Sequence, residues 1–242
     1  MIRSRDIDKG RFEFSNKHSI IILLVYFVGY VSLAGIVGVM LTKLIFKVEN
    51  AIHPSILMAI ILAILVGLVY LVREPLMASF RFFKKNLMEN FKIVLKNFGY
   101  LWIFSIVTNI VLSFILGDRS SVNQSQVVDG IAVAPVLYAV MTMVFAPIVE
   151  ELVFRGVLYQ KFRSEKNYHL AIFISITLFG LVHVLQTFMV TLDWTEFLFM
   201  FQYAGLAYFM VRSFEETSSI WGSISIHFLN NALGFILVFM TL

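Results

Sequence analysis

The sequence predicts an all-α fold, a polytopic bundle of transmembrane helices that forms a single integral membrane domain over residues 1–242. Two observations carry this prediction. Of the 242 residues, 60% are hydrophobic and only 14% are charged, and the apolar residues gather in runs of about 20, the length that crosses a bilayer. The chain contains no cysteine, which excludes disulfides, a thiolate nucleophile and a cysteine-ligated metal. The net charge of +4 does not indicate a nucleic-acid partner, because the basic residues flank apolar segments, where they act as topology signals.

Hydropathy predicts seven membrane-spanning helices, each long enough to cross the hydrocarbon core. An eighth span stays open if residues 129–146 form an element of their own, because Pro147 is able to break or kink a helix. Residues 117–130 are rich in Ser, Asn and Gln, and this composition predicts an exposed connection. The predicted spans are residues 19–42, 53–72, 98–116, 137–161, 168–190, 196–212 and 218–241.

Residues 73–97, between the second and third spans, carry apolar side chains at helical spacing opposite basic ones. This pattern predicts an amphipathic helix on the lipid surface, with an ordinary linker helix as the alternative. Lys and Arg are concentrated there, in the N-terminus (Arg3, Arg5, Lys9, Arg11 and Lys17) and in residues 161–167. Because cytoplasmic loops carry an excess of basic residues, this alternation predicts a cytoplasmic N-terminus, and the composition is compatible with a plasma membrane.

Three of the predicted spans carry ionisable or hydrogen-bonding side chains that a lipid-exposed helix would avoid. An ionisable group at the bilayer centre costs about 2.5 to 3.5 kcal/mol, so groups at this depth are usually functional. At 1.5 Å per residue they lie roughly 15 to 22 Å from the cytoplasmic edge, so they can share one layer of the bundle. They are Glu150, Glu151 and Arg155 in the fourth span, His183 in the fifth, and His227 and Asn231 in the seventh.

Helical spacing orders these groups. Glu151 and Arg155 are four residues apart and share a helix face, which predicts an ion pair. Glu150 is rotated by about 100° from its neighbour and is free to face another helix. His227 and Asn231 are also four apart and direct two hydrogen-bonding groups at one point, as an oxyanion site requires. Taken singly, each residue also has a structural interpretation, as a hydrogen bond or ion pair that joins helices.

These residues stand in three motifs that belong to one protein family. The sequence resembles the CPBP family of intramembrane proteases, the CAAX protease and bacteriocin-processing enzymes that are also called the Abi family. The resemblance covers residues 130–242, which would carry the catalytic core helices. The family motifs EExxxR, FxxxH and HxxxN occur in order, as Glu150-Glu151 to Arg155, Phe179 to His183, and His227 to Asn231.

The resemblance implies an intramembrane endopeptidase that hydrolyses a peptide bond of a membrane-associated peptide or protein. CAAX-type C-termini, pheromone precursors and bacteriocin precursors are the expected substrates. In this interpretation Glu150 is the general base for a water molecule that His183 holds. His227 and Asn231 would donate hydrogen bonds to the carbonyl oxygen as it becomes negative. The two supporting residues would be Glu151 and Arg155.

The resemblance leaves the cofactor open, since family members have been described both as metalloproteases and as metal-independent glutamate proteases. Glu150, His183 and His227 could ligate zinc as one carboxylate and two imidazoles. The sequence, however, has no histidine pair at i, i+4 spacing that would preorganise a metal. We therefore expect no cofactor, with zinc as the alternative.

Two other functions stay open from the sequence. One is a non-proteolytic member of the same family that confers bacteriocin self-immunity or modulates membrane signalling. The other is a proton-coupled transporter, which would be expected to carry an inverted repeat that the sequence does not reveal. The expected partners are membrane lipid and a membrane-associated substrate.

Overall fold

The computed structural model describes residues 14–117 and 119–241, so the predicted cytoplasmic residues Arg3, Arg5, Lys9 and Arg11 lie outside it. The described ranges contain nine helices and no strand. In chain order the helices are α1 (Asn16–Phe46), α2 (Pro54–Leu71), α3 (Arg73–Lys85), α4 (Leu87–Leu116), α5 (Val122–Val133), α6 (Pro135–Phe162), α7 (Tyr168–Thr191), α8 (Glu196–Thr217) and α9 (Ile220–Phe239).

Among the described residues, six helices are long and apolar enough to cross a membrane: α1, α2, α4, α6, α7 and α9. The all-α, polytopic membrane fold is thereby confirmed. The sixth predicted span, residues 196–212, is also helical, as part of α8, but it is not among the six helices that meet these criteria. Since α8 packs against α4, α7 and α9, it belongs to the same bundle.

The prediction of an exposed connection over residues 117–130 is wrong from residue 122 onward, where α5 begins. Ser121 caps this helix by accepting a hydrogen bond from the Gln124 amide at 3.2 Å. The chain then bends at Ala134 (φ −143°, ψ 67°), directly before Pro135. A residue before proline is driven out of the helical region, which explains why α5 and α6 are separate helices.

Pro147 does not divide the fourth span. Helix α6 runs through Pro147 and continues to Phe162, with π-helical turns over Met141–Phe145 and Leu152–Tyr159. A π-helical turn widens the helix and is frequent at functional sites. The eighth span therefore does not form, and the motif residues at 150–155 lie within one membrane-spanning helix.

The predicted amphipathic segment, residues 73–97, is divided at Asn86 into α3 and the first turns of α4. One face of α3 packs against the start of α9. The Trp221 indole donates to the Leu76 carbonyl at 3.1 Å, and the Ser79 and Ser219 hydroxyls are 2.8 Å apart. The opposite face exposes basic side chains, as expected for a helix at a charged surface, namely Arg81, Lys84 and Lys85.

The basic segments lie together at one end of the bundle. The start of α1, the start of α4 and the end of α6 meet there, as the alternation of basic loops predicts. Arg163 and Glu215 join the ends of α6 and α8 at 2.6 Å, and Lys96 and Glu216 join α4 to α8 at 2.7 Å. The Lys161 ammonium also donates a hydrogen bond to the Asn16 side chain.

A close approach between α8 and α9 requires glycine at position 222. A Cβ at Gly222 would lie 2.1 Å from the Thr217 hydroxyl and 2.9 Å from the Ser213 carbonyl oxygen. We expect Gly222→Ala to force the two helices apart and to cost about 1–3 kcal/mol of stability. A lower thermal unfolding midpoint in detergent would report this.

Gly234→Ala is the matched control in the same helix, because a Cβ there meets nothing within 4 Å. Its unfolding midpoint should stay equal or rise slightly, since alanine favours the helix by about 0.5–1 kcal/mol. Equal midpoints for Gly222→Ala and the parent protein would contradict the close approach.

Candidate active site

Helices α6, α7 and α9 bring the three sequence motifs together, as predicted. The Glu150 Oε2 atom lies 4.0 Å from His183 Nε2 and 3.9 Å from His227 Nε2. Glu150 is buried, with 8% of its surface exposed, and its Oε2 atom has no hydrogen-bond partner among the described residues. A buried carboxylate oxygen without a partner is costly, so the position favours a water molecule or a substrate group as its partner.

Glu151 and Arg155 form the ion pair that their spacing predicts. Arg155 Nη1 lies 3.0 Å from Glu151 Oε1, and both side chains are fully buried. Arg155 Nη2 also donates to the Ala207 carbonyl on α8 at 2.8 Å, and the guanidinium lies 5.0 Å above the Phe179 ring. Each of these contacts offsets part of the desolvation of the two charges. The pair thereby ties α6 to α7 and α8.

Glu151 also holds His227, a contact that sequence spacing did not reveal. His227 Nδ1 lies 2.9 Å from Glu151 Oε1, and the Ser223 hydroxyl donates to Glu151 Oε2. Beside Arg155 the carboxylate acts as an acceptor, so we assign the hydrogen to His227 Nδ1. The Nε2 atom of His227 is left to face Glu150. Ser223 could have been suspected, because it stands four residues before His227 on the same helix face.

The His183 ring is fixed by three contacts. Its Nδ1 lies 2.8 Å from the Phe179 carbonyl oxygen, and because a carbonyl only accepts, Nδ1 carries the hydrogen. In the neutral ring Nε2 is then an acceptor directed at Glu150. The ring also lies between Phe179 and Tyr203, with centroids at 4.5 and 4.6 Å. The sequence motif contained Phe179, but it gave no indication of Tyr203.

Asn231 lines the same cavity as Glu150 and the two histidines. Its Nδ2 donates to the Thr142 carbonyl in a π-helical turn of α6 at 2.8 Å, and its Oδ1 accepts from Asn230 Nδ2 at 3.1 Å. A carboxamide has two N–H donors, so one of them is not used by Thr142. The Asn231 side chain is therefore held in place, and its second N–H is left to donate to another group.

The four predicted catalytic residues line a cavity of about 230 Å³. At about 30 Å³ per water molecule, this volume corresponds to several waters. Two helices outside the sequence motifs also contribute to its wall, α1 through Tyr30 and α5 through Asn123 and Val127. The arrangement is a small cavity within an apolar bundle, with carboxylate, imidazole and carboxamide groups on part of its wall.

The histidines and Glu150 do not fit a zinc ion as they stand. Tetrahedral zinc with bonds of about 2.0–2.1 Å would hold its ligand atoms about 3.3 Å apart, whereas the carboxylate-to-imidazole distances are 3.9 and 4.0 Å. Within residues 14–117 and 119–241, no group of three or more His, Asp or Glu side chains has the spacing of a metal site. As placed, Glu150 and the two histidines are spaced for hydrogen bonding through water rather than for ligation of a metal.

Residues 132–233 match the family described as type II CAAX prenyl endopeptidase Rce1-like. The predicted family resemblance is confirmed. The matched stretch contains all three motifs, from Glu150 to Asn231, and is consistent with the CPBP family. No curated protein and no solved structure matches the chain.

The Rce1-like match supports a membrane protease, and it covers only part of the cavity lining. Tyr30 of α1 and Asn123 and Val127 of α5 line the cavity but precede residue 132, where the match begins. The motif residues thus lie within the Rce1-like region, and part of the wall around them lies outside it.

Proposed function

We propose that the protein is an intramembrane endopeptidase that hydrolyses a peptide bond of a membrane-associated peptide or protein. The observation that carries this proposal is the buried, unpartnered Glu150 oxygen about 4 Å from two imidazole nitrogens that line the same cavity. The family description favours CAAX-type C-termini as substrates. Pheromone and bacteriocin precursors are the alternative substrates, since they also contain a peptide bond that the same reaction would hydrolyse.

A water molecule fits between Glu150 and His183. Their facing atoms are 4.0 Å apart, too far for a direct hydrogen bond, but one water can donate to both at about 2.8 Å. Because both atoms are acceptors, the hydrogens of the water point at them and its lone pairs face the cavity. Glu150 then accepts a proton as the water oxygen attacks the carbonyl carbon of the substrate.

The negative oxygen that this attack creates needs hydrogen-bond donors. The free N–H of Asn231 can supply one, and His227 can supply another from Nε2 when its ring is protonated. Glu151, in contact with His227 Nδ1, would stabilise that imidazolium. Glu150 then returns its proton to the leaving nitrogen, the C–N bond breaks, and the products are a carboxylic acid and an amine.

We expect Asn231→Ala to lower kcat by about 10²–10³, the usual effect of removing one oxyanion donor, with little change in KM. Steady-state cleavage of a fluorogenic peptide by purified protein in liposomes would measure both constants. Asn109→Ala is the matched control, because Asn109 hydrogen-bonds to Gln202 in α8 at 2.9 Å and is not among the residues that line the cavity. Equal kcat values for the two variants would contradict an oxyanion role for Asn231.

We also propose that the basic end of the bundle faces the cytoplasm of a plasma membrane and contacts membrane lipid there. The cysteine-free chain permits a direct test with single cysteines at exposed positions. We expect Lys166→Cys to react with a membrane-impermeant maleimide only after permeabilisation, and Val48→Cys, at the opposite end, to react in intact cells. The reverse labelling pattern would contradict this orientation.

A further inference from the structure

The segment that leads into α5 is docked on α8 at two places. At the first place, Glu196 accepts hydrogen bonds from Arg119 Nη2 at 2.9 Å and from the Val122 amide at 3.3 Å. Arg119 also pairs with Asp193 at 2.7 Å. The Thr195 hydroxyl and amide, together with Arg119, lower the pKa of Asp193 to about 2, so this carboxylate is ionised at neutral pH. Charge therefore anchors the start of the segment to the α7–α8 connection.

The second place is the hydroxyl of Tyr203. It lies 2.9 Å from the Ser121 hydroxyl and accepts a hydrogen bond from Asn123 Nδ2 at 3.0 Å. Tyr203 stands seven residues after Glu196, two turns along the same face of α8. The two contacts together hold the first turn of α5 against that face.

The ring of Tyr203 makes a different contact from its hydroxyl. It stacks on His183, with centroids 4.6 Å apart and planes inclined by 25°. Phe179 stacks on the same imidazole at 4.5 Å, and the flat contacts restrict rotation of the ring. One side chain therefore contacts both the α5 segment and the imidazole that faces Glu150.

Helix α5 forms part of the cavity wall through Asn123, Val127 and Ile131. Helix α5 also packs against α7 and α9, and the polar contacts at Glu196 and Tyr203 join it to α8. A shift of α5 would therefore change the space that the cavity offers to a peptide segment.

We propose that Tyr203 is a positioning residue that links the docking of α5 to the orientation of His183. Its hydroxyl holds α5 over the cavity through Ser121 and Asn123, and its ring keeps the imidazole directed at Glu150. The catalytic consequence rests on the proposed peptidase function, whereas the docking consequence does not. The two roles reside in different atoms of Tyr203, so two substitutions separate them.

The docking role is tested by the reactivity of a single cysteine, Val127→Cys, in the otherwise cysteine-free chain. Adding Tyr203→Phe removes the hydroxyl, and we expect the maleimide labelling rate at residue 127 to rise about 2- to 10-fold, as expected for loss of these hydrogen bonds. Tyr208→Phe is the matched control, because Tyr208 is on the same helix and lies partly exposed, outside the cavity lining. An unchanged labelling rate with Tyr203→Phe would overturn the docking role, whatever the activity of the protein.

The orienting role is tested by measuring separately how substitutions of Tyr203 change kcat and KM. These variants are made in the chain without added cysteine. We expect Tyr203→Leu, which loses the stacking contact, to lower kcat by about 10²-fold, the effect of displacing a catalytic group by about 1 Å. Tyr203→Phe should restore kcat to near the parent value, because the ring is kept, with its effect confined to KM. If Tyr203→Leu keeps the parent kcat, or if Tyr203→Phe does not restore it, the orienting role is wrong.

The thermal unfolding midpoints of the parent protein, Tyr203→Leu and Tyr203→Phe show whether the substitutions affect the fold. If Tyr203→Leu is unfolded, Tyr203→Met, which fills a similar volume without an aromatic face, takes its place in the same comparison. If the parent protein cleaves no peptide, but Tyr203→Phe still raises the labelling rate of Val127→Cys, the peptidase function is refuted and the docking role is retained.

Discussion

Substitution of Glu150 by glutamine is expected to abolish peptide cleavage and to leave the fold intact. The carboxamide has the shape of the carboxylate but cannot accept the proton of the attacking water. General bases contribute about 10²–10⁴ to enzymatic rates, so kcat should fall by at least about 10²-fold. Cleavage by purified protein in liposomes measures the loss, and the thermal unfolding midpoint checks the fold.

Glu165→Gln is the matched control, because Glu165 is an exposed acid in the connection between α6 and α7. It should cleave at the parent rate, whereas His183→Ala should be as inactive as Glu150→Gln, because the water then loses its second acceptor. Retained cleavage in Glu150→Gln would contradict the general-base role. If self-immunity or membrane signalling by the protein survived in the inactive variant, binding would be its function.

The polar residues of the site could be predicted because membrane burial makes them conspicuous. An ionisable side chain inside an apolar run is costly, so the positions of Glu150, His183 and His227 by themselves indicate a site. The Glu151–Arg155 pair could also be predicted from the sequence, because both residues are on one helix and lie four positions apart. Contacts within a helix can be derived from sequence alone.

Contacts between helices could not be derived in this way. The bond between Glu151 and His227 joins residues 76 positions apart, and it gives His227 a carboxylate partner in addition to its place beside Asn231. The stacking of Tyr203 on His183 joins α8 to α7, and Tyr203 looks like any other aromatic residue in a chain with 15% Phe, Trp and Tyr. Both contacts depend on the rotation of each helix in the bundle, which periodicity does not determine.

Helix α5 is not predicted from the sequence for a different reason. Its first half is made largely of Asn, Gln and Ser, residues that favour loops when a sequence is interpreted by composition. The cap at Ser121 was a local signal for a helix start. In a membrane protein, however, hydropathy dominates the assignment, and a short helix that begins with polar residues has neither the length nor the apolar character of a span.

Removal of the Arg155 charge is expected to cause the largest loss of stability. Arg155→Met would leave Glu151 ionised and fully buried with only Ser223 and His227 as neutral partners. Removing one partner of a buried ion pair typically lowers the free energy of unfolding by about 3–5 kcal/mol. Thermal or denaturant unfolding in a defined detergent would measure this loss. Arg212→Met is the matched control, since the Arg212–Glu216 pair is partly exposed and such pairs contribute about 0–1 kcal/mol.

The double variant Glu151→Gln/Arg155→Met separates the charge from the packing. Neutralising both partners removes the uncompensated carboxylate, and the carboxamide oxygen introduced at position 151 can still accept the hydrogen bond from His227 Nδ1, so stability should recover most of what Arg155→Met loses. Additive losses in the double variant would mean that the two charges do not stabilise each other and that Arg155 acts mainly through the Ala207 carbonyl and the Phe179 ring. A recovered fold with low activity would instead indicate that the ionised Glu151 is needed to stabilise His227 as an imidazolium during hydrolysis.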